Sequence, residues 1–129
     1  MVILYIIVGL ILAYALYELV AYLITRASAK VVDSEEFGKD LRRVQLVDVR
    51  EKDEFKHAHI LGARNIPYSQ FKIRYKELRK DTPVYLYDAG VLVSGRSARI
   101  LKKAGYKDIY ILKGGYANWN GKVKKTDIK

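Results

Sequence analysis

The first twenty-five residues, Met1 to Thr25 (MVILYIIVGLILAYALYELVAYLIT), carry a single side-chain charge, at Glu18. As a helix rising about 1.5 Å per residue they reach about 37 Å, more than the roughly 30 Å of a bilayer hydrocarbon core. So apolar a surface must be covered. The rest of the chain is too small to enclose a helix that is apolar on every side. A cleaved signal peptide is the other alternative, since Ala27-Ser28-Ala29 has the form of a small-residue cleavage site. Against it, the run is too long for a signal's apolar region and begins without Lys or Arg. The expected organisation is a transmembrane helix over residues 1–26 and a separate domain over residues 27–129.

All twenty-four Lys and Arg residues lie from Arg26 onward, and the chain carries a formal net charge of +10. Arg26 and Lys30 flank the apolar run on one side only. The positive-inside rule then predicts a single-pass protein of the cell membrane, with a short N-terminus outside and the domain in the cytoplasm. A basic domain in that position is attracted to anionic lipid, nucleic acid or an acidic partner. Glu18 stands about 12 Å along the axis from Arg26, which puts it below the head groups. Such a carboxylate faces a protein partner or a polar cavity, or it is protonated or snorkels with local water. Gly9 and Ala13 form a small-xxx-small pair that permits close helix packing. Gly9, Ala13 and Glu18 are therefore the candidate binding residues within the membrane.

After Lys30 the pattern alternates. Val31-Val32, Gln45 to Val49, Ala63 to Ile66, Pro83 to Tyr87 and Asp108 to Leu112 read as strands. Helices are expected over Ser34 to Leu41, Asp53 to His57, Tyr68 to Arg79 and Ser94 to Ala104. Asp33 and Glu36 form a capping-box pair, and Gly105 is a helix stop. Strands alternating with helices imply a parallel sheet with right-handed crossovers. Ligand sites in such sheets lie beyond the C-terminal strand ends, which points to the connection Asp88-Ala89-Gly90-Val91-Leu92-Val93.

The segment Val47 to Pro67 (VDVREKDEFKHAHILGARNIP) and the segment Val84 to Trp119 (with KKAGYKDIYILKGGYANW) resemble the rhodanese-like family in order and spacing. The resemblance covers Lys30 to Gly121 and implies a five-stranded parallel sheet flanked by helices. It also implies that the loop after the VYLY strand carries Cys-x-x-Gly-x-Arg-Ser, whose thiolate bears a persulfide. The loop N–H groups and the helix N-terminus would stabilise that anion. Counting back from Lys102-Lys103-Ala104-Gly105-Tyr106 without a gap aligns Asp88 with the cysteine, Val93 with the arginine and Ser94 with the serine. A gapped register would use Gly95-Arg96-Ser97 instead.

The chain contains no cysteine. Thiol nucleophiles, thiolate metal sites and disulfides are therefore excluded. A carboxylate forms no stable persulfide, so no catalytic residue is assigned in the degenerate loop. The Asp88 carboxylate is expected to fill the anion nest itself by accepting loop N–H bonds; the alternative is a site lost by drift, with Asp88 solvated. His57 and His59 have no third ligand nearby in sequence to make a zinc set; His59 is expected to be a packed histidine. Asp48 and Arg50 are expected to pair, Trp119 to pack on the domain, and the Lys122-Lys124-Lys125 tail to be solvated or to face lipid. No metal or cofactor is called for.

The function these features favour is a non-catalytic, membrane-anchored interaction or adaptor protein. Its expected partners are the bilayer and another integral membrane protein, with a translocon or insertase subunit as one candidate. The alternative is a sulfurtransferase-related enzyme or anion-binding module using the altered Asp88 loop. Nucleic acid is not an expected partner, because no nucleic-acid motif is present.

Overall fold

Five short strands hydrogen-bond in the order β1 (Lys30–Val32), β6 (Ile109–Leu112), β5 (Val84–Tyr87), β2 (Gln45–Asp48) and β4 (Arg64–Asn65), all parallel. The structure, a computed structural model, describes residues 1–125, without the side chains of Thr25 and Arg26. The expected end of the domain at Lys129, and the Arg26 charge used to orient the helix, lie outside that description. The expected α/β architecture of a five-stranded parallel sheet with flanking helices is what the chain adopts.

The strand sequences explain the layers. Side chains alternate across a pleated strand. In β5, Val84 and Leu86 face one core with Val47, Ile109 and Ile111, beneath α4 (Tyr68–Arg74) and α5 (Leu92–Lys103). Tyr87 faces the other with Leu46, Leu112, Ile60 and Phe37, and Tyr85 packs against it. Phe37 ends α2 (Ser34–Phe37), which Asp33 caps through the Glu36 N–H at 2.9 Å. The return half of the capping box is not used, because the Glu36 carboxylate pairs with Lys39 at 3.2 Å.

Three helix boundaries differ from the sequence expectation by two residues or more, and the other expected element ends by at most one. The helix at Ser34 stops at Phe37 because Gly38 closes under the Trp119 ring, and a 3₁₀ turn follows at Leu41–Arg43. The helix at Tyr68 stops at Arg74 and continues as a 3₁₀ turn, Tyr75–Glu77. There the buried Tyr106 hydroxyl bonds the Tyr75 and Leu78 carbonyls, the latter at 2.6 Å. The helix expected at Ser94 begins two residues earlier, at Leu92.

Two strands were not expected. β3 (Ala58–Ile60), directly after α3 (Lys52–His57), pairs antiparallel with β7 (Val123–Lys125). The lysine-rich tail thus has exposed Lys124 and Lys125 side chains on a paired backbone. Trp119 does pack on the domain, edge-on to Phe37, with its Nε1–H donating to the Lys122 carbonyl at 3.1 Å.

The N-terminal helix α1 (Val2–Ser28) is a continuous 27-residue rod. Its apolar stretch Val2–Ile24 is long and apolar enough to cross a membrane and is not buried by the domain. Its final turns pack beside α5 before the chain turns into β1.

Candidate degenerate active site

Two adjacent central strands each end in a buried aspartate. Asp48 closes β2 and is fully buried; Asp88 follows β5 and is 4% exposed. Asp48 sits in register with Tyr87. By strand alternation Asp48 therefore shares a sheet face with Tyr87, and Asp88 faces the opposite side, toward α5.

Asp88 begins the connection to α5 that also contains Ala89, Gly90, Val91, Leu92 and Val93. The residue at the helix N-cap, Val91, has no side chain able to cap. The Asp88 carboxylate does so from three residues upstream. Its Oδ2 accepts the Val93 N–H at 3.1 Å, and its Oδ1 accepts the hydroxyl of fully buried Ser94 at 2.7 Å. This supplies an acceptor for one of the orphan N–H groups at the helix start, and it explains why α5 begins before Ser94. A carboxylate at a helix N-terminus is also favoured by the helix dipole.

The loop is clamped from behind. The Tyr116 N–H donates to the Asp88 carbonyl at 2.8 Å. Gly115 has φ +73°, and a Cβ there would lie 2.5 Å from the Asp88 carbonyl oxygen. Only glycine fits that approach. Val91 and Val93 pack against the core, while Leu92 is 56% exposed.

On the neighbouring strand, Arg50 forks onto Asp48. Its Nε and Nη2 reach the two carboxylate oxygens at 3.1 and 2.7 Å, and Nη2 also donates to the Ala58 carbonyl. The guanidinium lies 4.4 Å from the Tyr116 ring centroid, within cation–π range. Burial works against the Arg50 charge, yet the hydrogen bond and charge of Asp48 raise its pKa further. Burial, then the Asp48 charge, push the Tyr87 hydroxyl well above the usual tyrosine range. That oxygen accepts the Ile60 N–H at 3.0 Å. Asp48 and Arg50 are thus a structural strut between the sheet and β3.

The other singled-out residues are dispersed. His59 stacks on Phe55 at 3.7 Å between ring centroids, with Nδ1 2.7 Å from the Phe55 carbonyl. Among the described residues no three His, Asp or Glu side chains gather where they would hold a metal ion. Gly9 and Ala13 lie on the exposed part of α1, and a Cβ on Gly9 would meet nothing within 4 Å. Glu18 lies lower on α1, in a groove of about 820 Å³ that also includes Tyr22, Val31, Val91, Leu92 and Lys113. The structure therefore brings Glu18 to the edge of the Asp88 loop and keeps Gly9 and Ala13 away from it.

The model of the rhodanese-like domain matches residues 33–122. The chain belongs to the rhodanese-like family. It is similar to the uncharacterised Bacillus subtilis protein YqhL, at 48% identity over 87% of this chain and 89% of that protein. It is 35% identical to Escherichia coli YibN over 59% of this chain and 55% of that one. It is 32% identical to the putative sulfur carrier protein YrkF of B. subtilis over 72% and 47%. The matched region thus spans about half the length of the last two proteins. Among solved structures, the rhodanese-like domain of the Anabaena Alr3790 protein superimposes with a TM-score of 0.68 at 26% identity, covering 74% of this chain and 78% of that one. A Staphylococcus aureus rhodanese-like domain protein gives 0.68 at 24%, covering 76% and 99%.

Within this rhodanese-like chain the two alignment registers have different structural meanings. Gly95, Arg96 and Ser97 lie inside α5, with Gly95 and Ser97 buried and the Ser97 hydroxyl donating to the Val93 carbonyl. Asp88 stands in the loop beyond the strand, which favours the ungapped register. What the sequence reading missed is the clamp by Gly115 and Tyr116, which the Gly114-Gly115 pair could have signalled, and the Ser94 hydroxyl as a donor to Asp88.

Proposed function

We propose that this chain is a non-catalytic, membrane-anchored rhodanese-like protein whose domain binds rather than transforms. The observation that carries this reading is the state of Asp88. The position aligned with the family's nucleophile holds a carboxylate already engaged by the Val93 N–H and the Ser94 hydroxyl. Neither the loop nor Val93, at the aligned arginine position, offers a cation to an anionic sulfur donor.

The apolar stretch Val2–Ile24 supports anchoring by a single span. The confinement of Lys and Arg to Arg26 and beyond favours a cytoplasmic domain. The partner class is another integral membrane protein, met through the Gly9/Ala13 face of α1 or through the domain surface. Purification of the full chain in mild detergent tests this. A stoichiometric membrane-protein partner, weakened by Gly9→Leu with Ala13→Leu, is the expected result. A chain that is strictly monomeric and that turns over thiosulfate and cyanide above background would overturn the proposal.

A further inference from the structure

The direction in which α1 meets the domain says which face of the domain looks at the membrane. The last residues of α1, Ala27 and Ser28, share a small pocket with Lys102, Lys107 and Asp108, at the C-terminal end of α5 and the entry to β6. Glu18, Ala21 and Tyr22 share the larger groove with Val91 and Leu92, at the N-terminal end of α5. Helix α1 therefore runs parallel to α5, in the same direction. From Glu18 to Ser28 is about 15 Å of helix, close to the roughly 18 Å length of α5 itself. Everything before Glu18 projects past the C-terminal ends of the strands, the end where the Asp88 loop lies.

We infer that the degenerate active-site face docks on the phospholipid surface of the membrane that α1 enters, with Leu92 in the interface. This rests on the reading of α1 as a spanning helix. The projecting part, Val2 to Tyr17, is about 24 Å of uncharged helix, short of the roughly 30 Å hydrocarbon core. A span that short leaves no spare helix to hold the domain clear of the bilayer, so the bilayer thins locally to meet it. Glu18 and the rim beside it then lie at head-group depth rather than below it, where axial spacing from Arg26 alone places Glu18. That rim has the chemistry of an interfacial surface. Leu92 is an exposed apolar side chain at the first turn of α5. Arg96, one helical turn on, and Lys113, at the end of β6, are exposed cations placed to meet lipid phosphates. The acidic first turn of α3, with Asp53 and Glu54, follows β2, on the far side of β5 from β6 and β1, away from this edge.

The absence of cysteine makes the test direct. In the full chain, Leu92→Cys, Lys113→Cys and, at the opposite end of the sheet, Asp81→Cys each provide one site for a polarity-sensitive fluorophore. The labelled proteins are placed in nanodiscs of phosphatidylethanolamine and phosphatidylglycerol, with and without brominated acyl chains. The expected result is blue-shifted emission at position 92 and bromine quenching several-fold greater there than at position 81, with position 113 intermediate. Water-like, unquenched emission at 92 and 113, in a chain that resists alkaline carbonate extraction, would overturn the docking and leave the spanning helix standing. Release of the chain by carbonate would overturn the spanning helix and the docking with it.

Discussion

Asp48 and Asp88 end neighbouring strands, are both buried, and are held by opposite means. Asp48 has a full counter-charge: the Arg50 fork neutralises it, and Tyr87 and β3 are organised around the pair. Asp88 has no cation against it among the described residues. It is held by one backbone N–H, one hydroxyl and the start of a helix. The first arrangement joins two parts of the fold and has much to lose. The second is local and closes a loop over itself. A buried carboxylate can therefore be a cross-brace or a plug, and the identity of its donors decides which.

The contrast can be broken from the Asp48 side with the largest effect. Arg50→Ala leaves Asp48 buried without its partner, which typically costs about 3–5 kcal/mol. Urea unfolding of the domain should show that loss, or no folded baseline at all. On the other side, Asp88→Ala removes the acceptor of two buried donors and should cost about 1–3 kcal/mol. Hydrogen exchange at Val93 should accelerate while β2 and β5 stay protected. Equal destabilisation by the two variants would erase the distinction. Ser94→Ala should cost about 1 kcal/mol, and Asp88→Asn less than Asp88→Ala because it keeps an acceptor oxygen.

An exposed pair sharpens the scale. The hydrogen bond from Arg74 holds the Glu77 carboxyl below its ordinary value. Its stabilisation is thus complete above the ordinary glutamate pKa and fades as pH falls through the lowered one. Glu77→Gln should lower Tm slightly at neutral pH, and the gap should close in acid. The smallest expected change is none: Asp88→Cys should yield no thiosulfate–cyanide turnover above background, because Val91, Leu92 and Val93 give an anionic donor no cation.

Much of this could be read in the residues because the information was local. The continuous apolar run at Pro83–Tyr87 announces a strand covered on both faces, and Gln45–Val49 reads as a buried strand. The absence of a thiol at position 88 follows from the cysteine-free composition together with the family resemblance. What could not be read depends on distant partners. Ala58–Ile60 and Val123–Lys125 become strands only by pairing with each other. The helix at Tyr68 is cut short by a hydroxyl from Tyr106. Axial spacing from Arg26 said nothing of α1 lying along α5, which brings Glu18 to the rim beside Leu92 and Lys113.

The seating of α1 and β1 against α5 and β6 also sets an order of events during synthesis. Lys30 pairs with Tyr110, so the first strand made waits for one of the last. By the time the ribosome has finished α5 and β6, α1 has long been exposed. Such long-range closure is slow relative to local folding. A nascent chain with this layout has its hydrophobic rod on offer before it has a domain, and any machinery that receives the rod acts on an unfolded body. The final sheet pairing then closes against a helix whose place is already taken.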